Sequence, residues 1–224
     1  DVAFECPDCE VAGVDSSQSM IQYAIARARS QNLTNVSFGV MDITQPLDFS
    51  DASFALVNAR FLVGVLRREA WMPFLKECTR ILKPGGTLRL TEPIDMGETT
   101  SPAGNRLSRL MSEALCRAGY GFSVDGHGMG MSMTLPSLLR EMNYQHVRTL
   151  PHLLDYSEDQ SSAWGDMKRQ LEAGSRLTPP FFERVGLLSQ EETQRLFQQA
   201  YQEHHQKGLR GAWHFVTVLG EKPS

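Results

Sequence analysis

The strongest constraint on this chain is a recurring unit: a short apolar run that stops at an acid, followed by an amphipathic segment or a polar turn. Val11 to Val14 is apolar and rich in β-branched residues, and it ends at Asp15. Ser16 and Ser17 then open a stretch with apolar residues at Met20, Ile21, Ala24, Ile25 and Ala28, the spacing of one helix face behind a serine cap. Asn32 to Asn35 forms a polar turn, Val36 to Val40 reads as a second strand, and Asp42 closes it before the loop at Pro46.

The unit continues. Phe54 to Val57 is a third buried run, and Phe74, Leu75, Cys78, Ile81 and Leu82 recur at helical spacing within a segment from Glu69 to Leu82. Lys83-Pro84-Gly85-Gly86 ends that helix, because proline cannot continue it and glycine supplies the left-handed turn. Thr87 to Thr91 is then a strand with Glu92 at its tip. Strands alternating with helices predict an α/β, Rossmann-like fold, a mostly parallel sheet with helices on both faces.

The second half differs. A helix is expected over Pro102–Ala118, an irregular glycine- and methionine-rich loop over Tyr120–Thr134, and a helix over Leu135–Met142. Val147–Tyr156 and Ala212–Gly220 read as strands, with helices at Trp164–Ala173 and Gln190–His205 separated by Thr178-Pro179-Pro180. The chain is read as one domain: a cofactor-binding half (1–100), substrate-side helices and loops (101–211) and a closing strand (212–224).

Composition narrows the function. With 224 residues, 41% hydrophobic content and a formal net charge of -4, the chain has a sizeable core and no clustered basic stripe, which argues against nucleic acid. No apolar run reaches the roughly 18 to 20 residues of a membrane span, so a cytoplasmic, non-membrane protein is expected. Cys6-Pro7-Asp8-Cys9 lacks a second ligand pair for zinc and precedes its strand, the reverse of the redox arrangement. It is expected to be two ordinary loop cysteines in a reducing compartment, with no metal site.

Ligands of open parallel sheets collect outside the carboxyl ends of the strands. Asp15 has two acceptor oxygens suited to the hydroxyls of an adenosine ribose, and Asp42 is placed to accept from an adenine amine. Each could equally cap a helix or close a turn. The segments EVAGVDSSQSMIQYA, VSFGVMDITQPLDFSDASFALVNARF and FLKECTRILKPGGTLRLTEP resemble, in order, the motifs of class I S-adenosylmethionine-dependent methyltransferases. They are most similar to the small-molecule branch of ubiquinone and menaquinone C-methyltransferases, over residues 8 to about 93. The strands at 147–156 and 212–220 resemble the antiparallel hairpin that closes that family's sheet.

The resemblance implies S-adenosyl-L-methionine as cofactor. Asp15 would hold the ribose, and Ser16 and Met20 would line the adenine side. Asp42 would meet the adenine amine between Met41 and Ile43. Asn58, Ala59 and Arg60 would lie beside the methionine portion, and Glu92 would face the substrate opening as a catalytic candidate. The family's D-x-G-x-G-x-G loop is not in this sequence, and Asp1–Phe4 resembles the end of the helix that follows it. The chain is therefore expected either to be a fragment of a longer enzyme or to have lost its cofactor loop, with the neighbours of a central first strand left unpaired.

A small-molecule substrate is expected, roofed by Tyr120–Thr134 and the segment around Trp164. His127 is the candidate base, although a lone loop histidine serves equally as polar surface. Met129, Met131 and Met133 suit either a pocket wall or core packing. Arg60 and Arg106 suit either an acidic substrate or surface ion pairs. Two rival functions stay open: a NAD-dependent oxidoreductase, which the LKPGG turn and the closing hairpin oppose, and an inactive methyltransferase-like binding domain.

Overall fold

A computed structural model describes residues 2–158 and 161–224. The elements run α1 (Val2–Glu5), β1 (Val11–Asp15), α2 (Gln18–Ser30), β2 (Val36–Val40), β3 (Phe54–Arg60), α3 (Arg68–Ile81), β4 (Leu82–Pro93) and β5 (Glu98–Thr99). They continue through α4 (Pro102–Arg117), α5 (Met131–Glu141), β6 (Gln145–Asp155), α6 (Ser161–Leu177), α7 (Pro179–Arg184), α8 (Gln190–His204) and β7 (Gly211–Glu221).

The alternation predicted from the sequence is present, but the strands among the described residues form two sheets. β1 and β2 pair in parallel, from Val11 opposite Val36 to Asp15 opposite Val40. In the second sheet β3 pairs with β4 in parallel, and β4 and β6 flank β7 antiparallel to it. β5 pairs antiparallel with the start of β7. Among the described residues β1 and β3 each stand at the end of a sheet. The closing antiparallel pair, β6 with β7, is present as well.

The main core follows from two periodicities meeting. α3 buries Trp71, Phe74, Leu75, Cys78 and Ile81 at helical spacing. The facing sheet contributes Leu88 and Leu90 of β4 with Val216 and Val218 of β7, and α5 adds Met131, Leu135 and Leu139. A second core joins Ala103, Leu107 and Ala114 of α4 to Phe182, Leu196, Phe197 and Ala200 of α7 and α8. α8 starts with a reciprocal cap, in which the Ser189 hydroxyl accepts from the Glu192 N–H and the Glu192 carboxylate accepts from the Ser189 N–H.

Several boundaries differ from the sequence reading. α5 begins at Met131, inside the expected loop, and two of the three methionines are core: Met129 and Met131 are buried while Met133 is exposed. α6 is longer than expected, and α7 begins where the proline pair was read as a break, because proline is tolerated in a first helical turn. Cys6 and Cys9 are bonded to each other in a disulfide, which corrects the expectation of two ordinary loop cysteines in a reducing compartment. The loop they close is held from across the chain by the Asn35 side-chain amide, which donates to the carbonyls of Ala3, Cys6 and Cys9. Among the described residues no helix is long and apolar enough to cross a membrane.

The glycine pair after α3 divides two tasks. Gly85 takes the left-handed conformation, φ +72°. Gly86 permits close approach, since a Cβ there would stand 2.8 Å from the Lys83 carbonyl oxygen and 3.1 Å from that of Ala55. Both obstacles are backbone, so Gly86→Ala should destabilise the protein by about 1–3 kcal/mol, read from the denaturant midpoint at unchanged slope. An unchanged midpoint would show that β3 and β4 can separate freely at this turn.

Candidate functional site

The ends of β1 and β2 bring two acids side by side. Asp15 lies opposite Val40, and the Met41 N–H donates to the Asp15 carbonyl at 3.1 Å. Each carboxylate closes the turn behind it through Oδ1. That of Asp15 accepts from the Ser17 N–H at 2.7 Å, and that of Asp42 accepts from the Thr44 N–H at 2.9 Å and the Thr44 hydroxyl at 2.8 Å. These Thr44 bonds, the backbone one foremost, hold the Asp42 carboxyl below the usual carboxylate range. In both acids Oδ2 has no intramolecular partner among the described residues, and both side chains are exposed. The turn role and a ligand role are therefore compatible, since they use different oxygens.

Ser16 and Met20 are exposed beside this ledge, Met41 is half-buried, and Ile43 packs against the main core. Asn58, Ala59 and Arg60 lie on β3, in the other sheet. There the Asn58 side-chain Oδ1 accepts from Arg89 at 2.8 Å, Ala59 packs on the core, and the Arg60 guanidinium stands 5.1 Å from the centre of the Phe61 ring.

Glu92 does not face an opening. Its side chain is fully buried, and it accepts from the Leu62 N–H at 2.7 Å and the Val63 N–H at 2.9 Å. Burial pushes its carboxyl up to about 7 against the pull of those two bonds. It anchors the loop after β3. His127 is exposed in a turn whose Asp125 carboxylate accepts the His127 backbone N–H at 3.0 Å, and it borders a surface hollow with Arg106, Arg109 and Glu113. That hollow does not include Glu92, so the structure does not bring the two catalytic candidates together.

Two features were missed from the sequence. The first is an imidazole held by a carboxylate just beyond β4: His214 Nδ1 lies 3.0 Å and 3.2 Å from the Asp95 oxygens, and its Nε2 lies 3.8 Å from Glu98. The Trp213 indole N–H also donates to the Asp95 carbonyl at 2.9 Å. Only the β4–β7 register unites these residues, so no local motif announces them. The second is a cavity of about 160 Å³ beneath the C-terminal helices, with Met96, Leu107, Phe182, Phe197, His204 and Trp213 in its wall. Trp164, expected in the substrate roof, stacks on His204 with ring centres 3.7 Å apart. Among the described residues no group of three or more His, Cys, Asp or Glu is arranged to hold a metal ion.

Residues 1–86 match the family model described as a methyltransferase domain. Over 88 residues the chain is 35% identical to the demethylmenaquinone methyltransferase of Chlorobaculum tepidum, a match that covers 39% of this chain and 33% of the relative. The matched segment thus spans about a third of that relative's length. Among solved structures, the chain is similar to the YcgJ protein of Bacillus subtilis, with a TM-score of 0.54, 14% identity, and 95% and 82% of the two chains covered. It is also similar to the phosphoethanolamine N-methyltransferase 2 of Haemonchus contortus in complex with phosphomonomethylethanolamine and S-adenosylhomocysteine, with a TM-score of 0.55, 17% identity, and 100% and 45% covered. The likeness to these structures is one of fold, and Asp15 and Asp42 lie within the segment that matches the methyltransferase-domain model.

The Glu92 environment sets a pH dependence. The folded protein keeps this proton up to about pH 7, whereas a free glutamate releases it near 4.5. Between those values the unfolded chain binds fewer protons, so stability falls as pH rises through the window, by on the order of 3 kcal/mol. Glu92→Gln cannot ionise and presents a donor where the loop needs an acceptor. Its stability deficit relative to the native chain should therefore narrow from pH 4.5 to 7 in urea titrations, and a deficit independent of pH would mean that Glu92 keeps an ordinary pKa.

Proposed function

We propose that the chain acts in S-adenosylmethionine-dependent methyl transfer to a small organic molecule. The observation that carries this reading is the pair of exposed carboxylates at adjacent strand ends, each with one oxygen committed to its turn and one left for a ligand. A ribose hydroxyl offers a donor to the free oxygen of Asp15, and an adenine amine offers one to that of Asp42. Met41, half-buried beside Asp42, would flank the ring, whereas Ile43 is turned to the main core. The cofactor held by the Haemonchus contortus enzyme, as S-adenosylhomocysteine, has these same groups.

When bound, the cofactor supplies a methyl group on a positively charged sulfur, so the protein's task is to align the acceptor and exclude water. An acceptor that loses a proton on methylation needs a base. His214, with Nδ1 held against Asp95, suits that role better than His127, because the carboxylate fixes the orientation of the imidazole.

Calorimetric titration with S-adenosylhomocysteine tests the reading on this chain and on Asp15→Ala, with NAD as the rival ligand. Hydrogen bonds to a charged acceptor are worth about 1.5–3 kcal/mol, so Asp15→Ala should weaken binding by about ten- to a hundredfold. Equal affinity of the two proteins would remove Asp15 from the site. Failure of the native chain to bind S-adenosylhomocysteine would overturn its role as a methyl-donor domain, and binding of NAD in its place would favour hydride transfer.

A further inference from the structure

We propose that the cavity among α4, α6, α7 and α8 is a binding site for a neutral, single-ring organic molecule carrying one hydrogen-bonding group. The size argues for one ring: at about 160 Å³ the space is comparable to apolar cavities that accept benzene. The wall argues for an uncharged ligand. Its apolar surface comes largely from Leu107, Met111, Leu171, Phe182, Phe197 and Trp213, and among the described residues no lysine, arginine, aspartate or glutamate borders it. A carboxylate or ammonium placed there would lose its water without gaining a counter-charge.

Three hydroxyls in the wall are already engaged. The Ser108 hydroxyl donates to the Met96 carbonyl at 3.0 Å, the Tyr156 hydroxyl donates to the Glu98 carbonyl at 3.0 Å, and the Ser101 hydroxyl donates to the Glu203 carboxylate. His204 differs from these. It is 3% exposed, and its Nε2 is buried with no hydrogen-bond partner among the described residues. The ring cannot easily turn to find one, because it lies flat against Trp164 at an interplanar angle of 16°. Burial lowers its pKa from the ordinary histidine value, with the Trp164 backbone pulling the other way, so the ring is neutral at pH 7. A neutral imidazole nitrogen can pair with a hydroxyl, and an unpaired buried polar atom carries a standing cost that such a ligand removes.

The probes that test this are 4-fluorophenol, fluorobenzene and 4-fluorobenzoate, titrated into the chain and followed by fluorine NMR. Both neutral probes should bind, fluorophenol about five- to tenfold more tightly than fluorobenzene, and fluorobenzoate at least about tenfold more weakly than fluorobenzene. His204→Phe keeps a flat ring on Trp164 and should bring the two neutral probes to within about twofold of each other. Ala200→Leu fills the space from α8 and should weaken both by about tenfold or more. No binding of either neutral probe by the native chain would overturn the proposal, as would fluorobenzoate binding equal to fluorobenzene. An undiminished fluorophenol preference in folded His204→Phe would overturn the role of His204. If that variant does not fold, the ranking of the three probes on the native chain decides alone. None of these readouts involves a methyl donor, so failure here and failure of the methyl-transfer reading are separate results.

Discussion

β4 is hydrogen-bonded along both edges, in parallel to β3 and antiparallel to β7, and the placement of every candidate group in the second sheet depends on those two registers. On the β7 side Thr91 lies opposite Thr217, and their hydroxyls bond at 2.8 Å in a buried setting where a shifted register would leave the Thr91 hydroxyl without this partner. That register carries the Ile94 N–H to the His214 carbonyl and so sets His214 within reach of Asp95. On the β3 side, Glu92 ties the backbone of Leu62 and Val63 to the tip of the same strand.

The parts of the fold legible in the sequence are those where a local period is enough. Val36–Val40 is a strand because a short β-branched run stands between polar turns, and α4 begins at Pro102 because serine precedes a proline that fits the first turn. β4 is less legible. It starts at Leu82, before the Pro84-Gly85-Gly86 turn, because Leu82 pairs with Phe54 and the register then shifts between Phe54 and Leu56. Only a partner strand shows that. β5, two residues long, exists through β7 alone.

The three strand-end acids share a position in sequence and differ in environment. Glu92 has the same parity as Leu88 and Leu90, the face covered by α3 and α5, so period-two counting along β4 already directs its side chain inward. Asp15 ends β1 and Asp42 follows β2, strands that among the described residues pair with each other alone, and both carboxylates stay in solvent. The same counting could not have found Asp95 with His214, or His204 against Trp164. Those pairs arise from long-range packing of groups that look unremarkable one at a time.

The division into two sheets also bears on how the molecule breathes. β1, α2 and β2 form a small layer joined to the main core chiefly through the segment after Asp42. There Ile43 packs inward, Glu77 accepts the Leu47 N–H at 2.7 Å, and Arg80 donates to the carbonyls of Leu47 and Phe49 and to Asp51. A layer tied at one place can open locally while β4 and its neighbours stay closed, as cooperative subunits of a fold do. A nucleoside bound on the Asp15–Asp42 ledge would then act first on that local equilibrium. It would slow amide exchange in β1 and β2 well before it raised the global unfolding temperature.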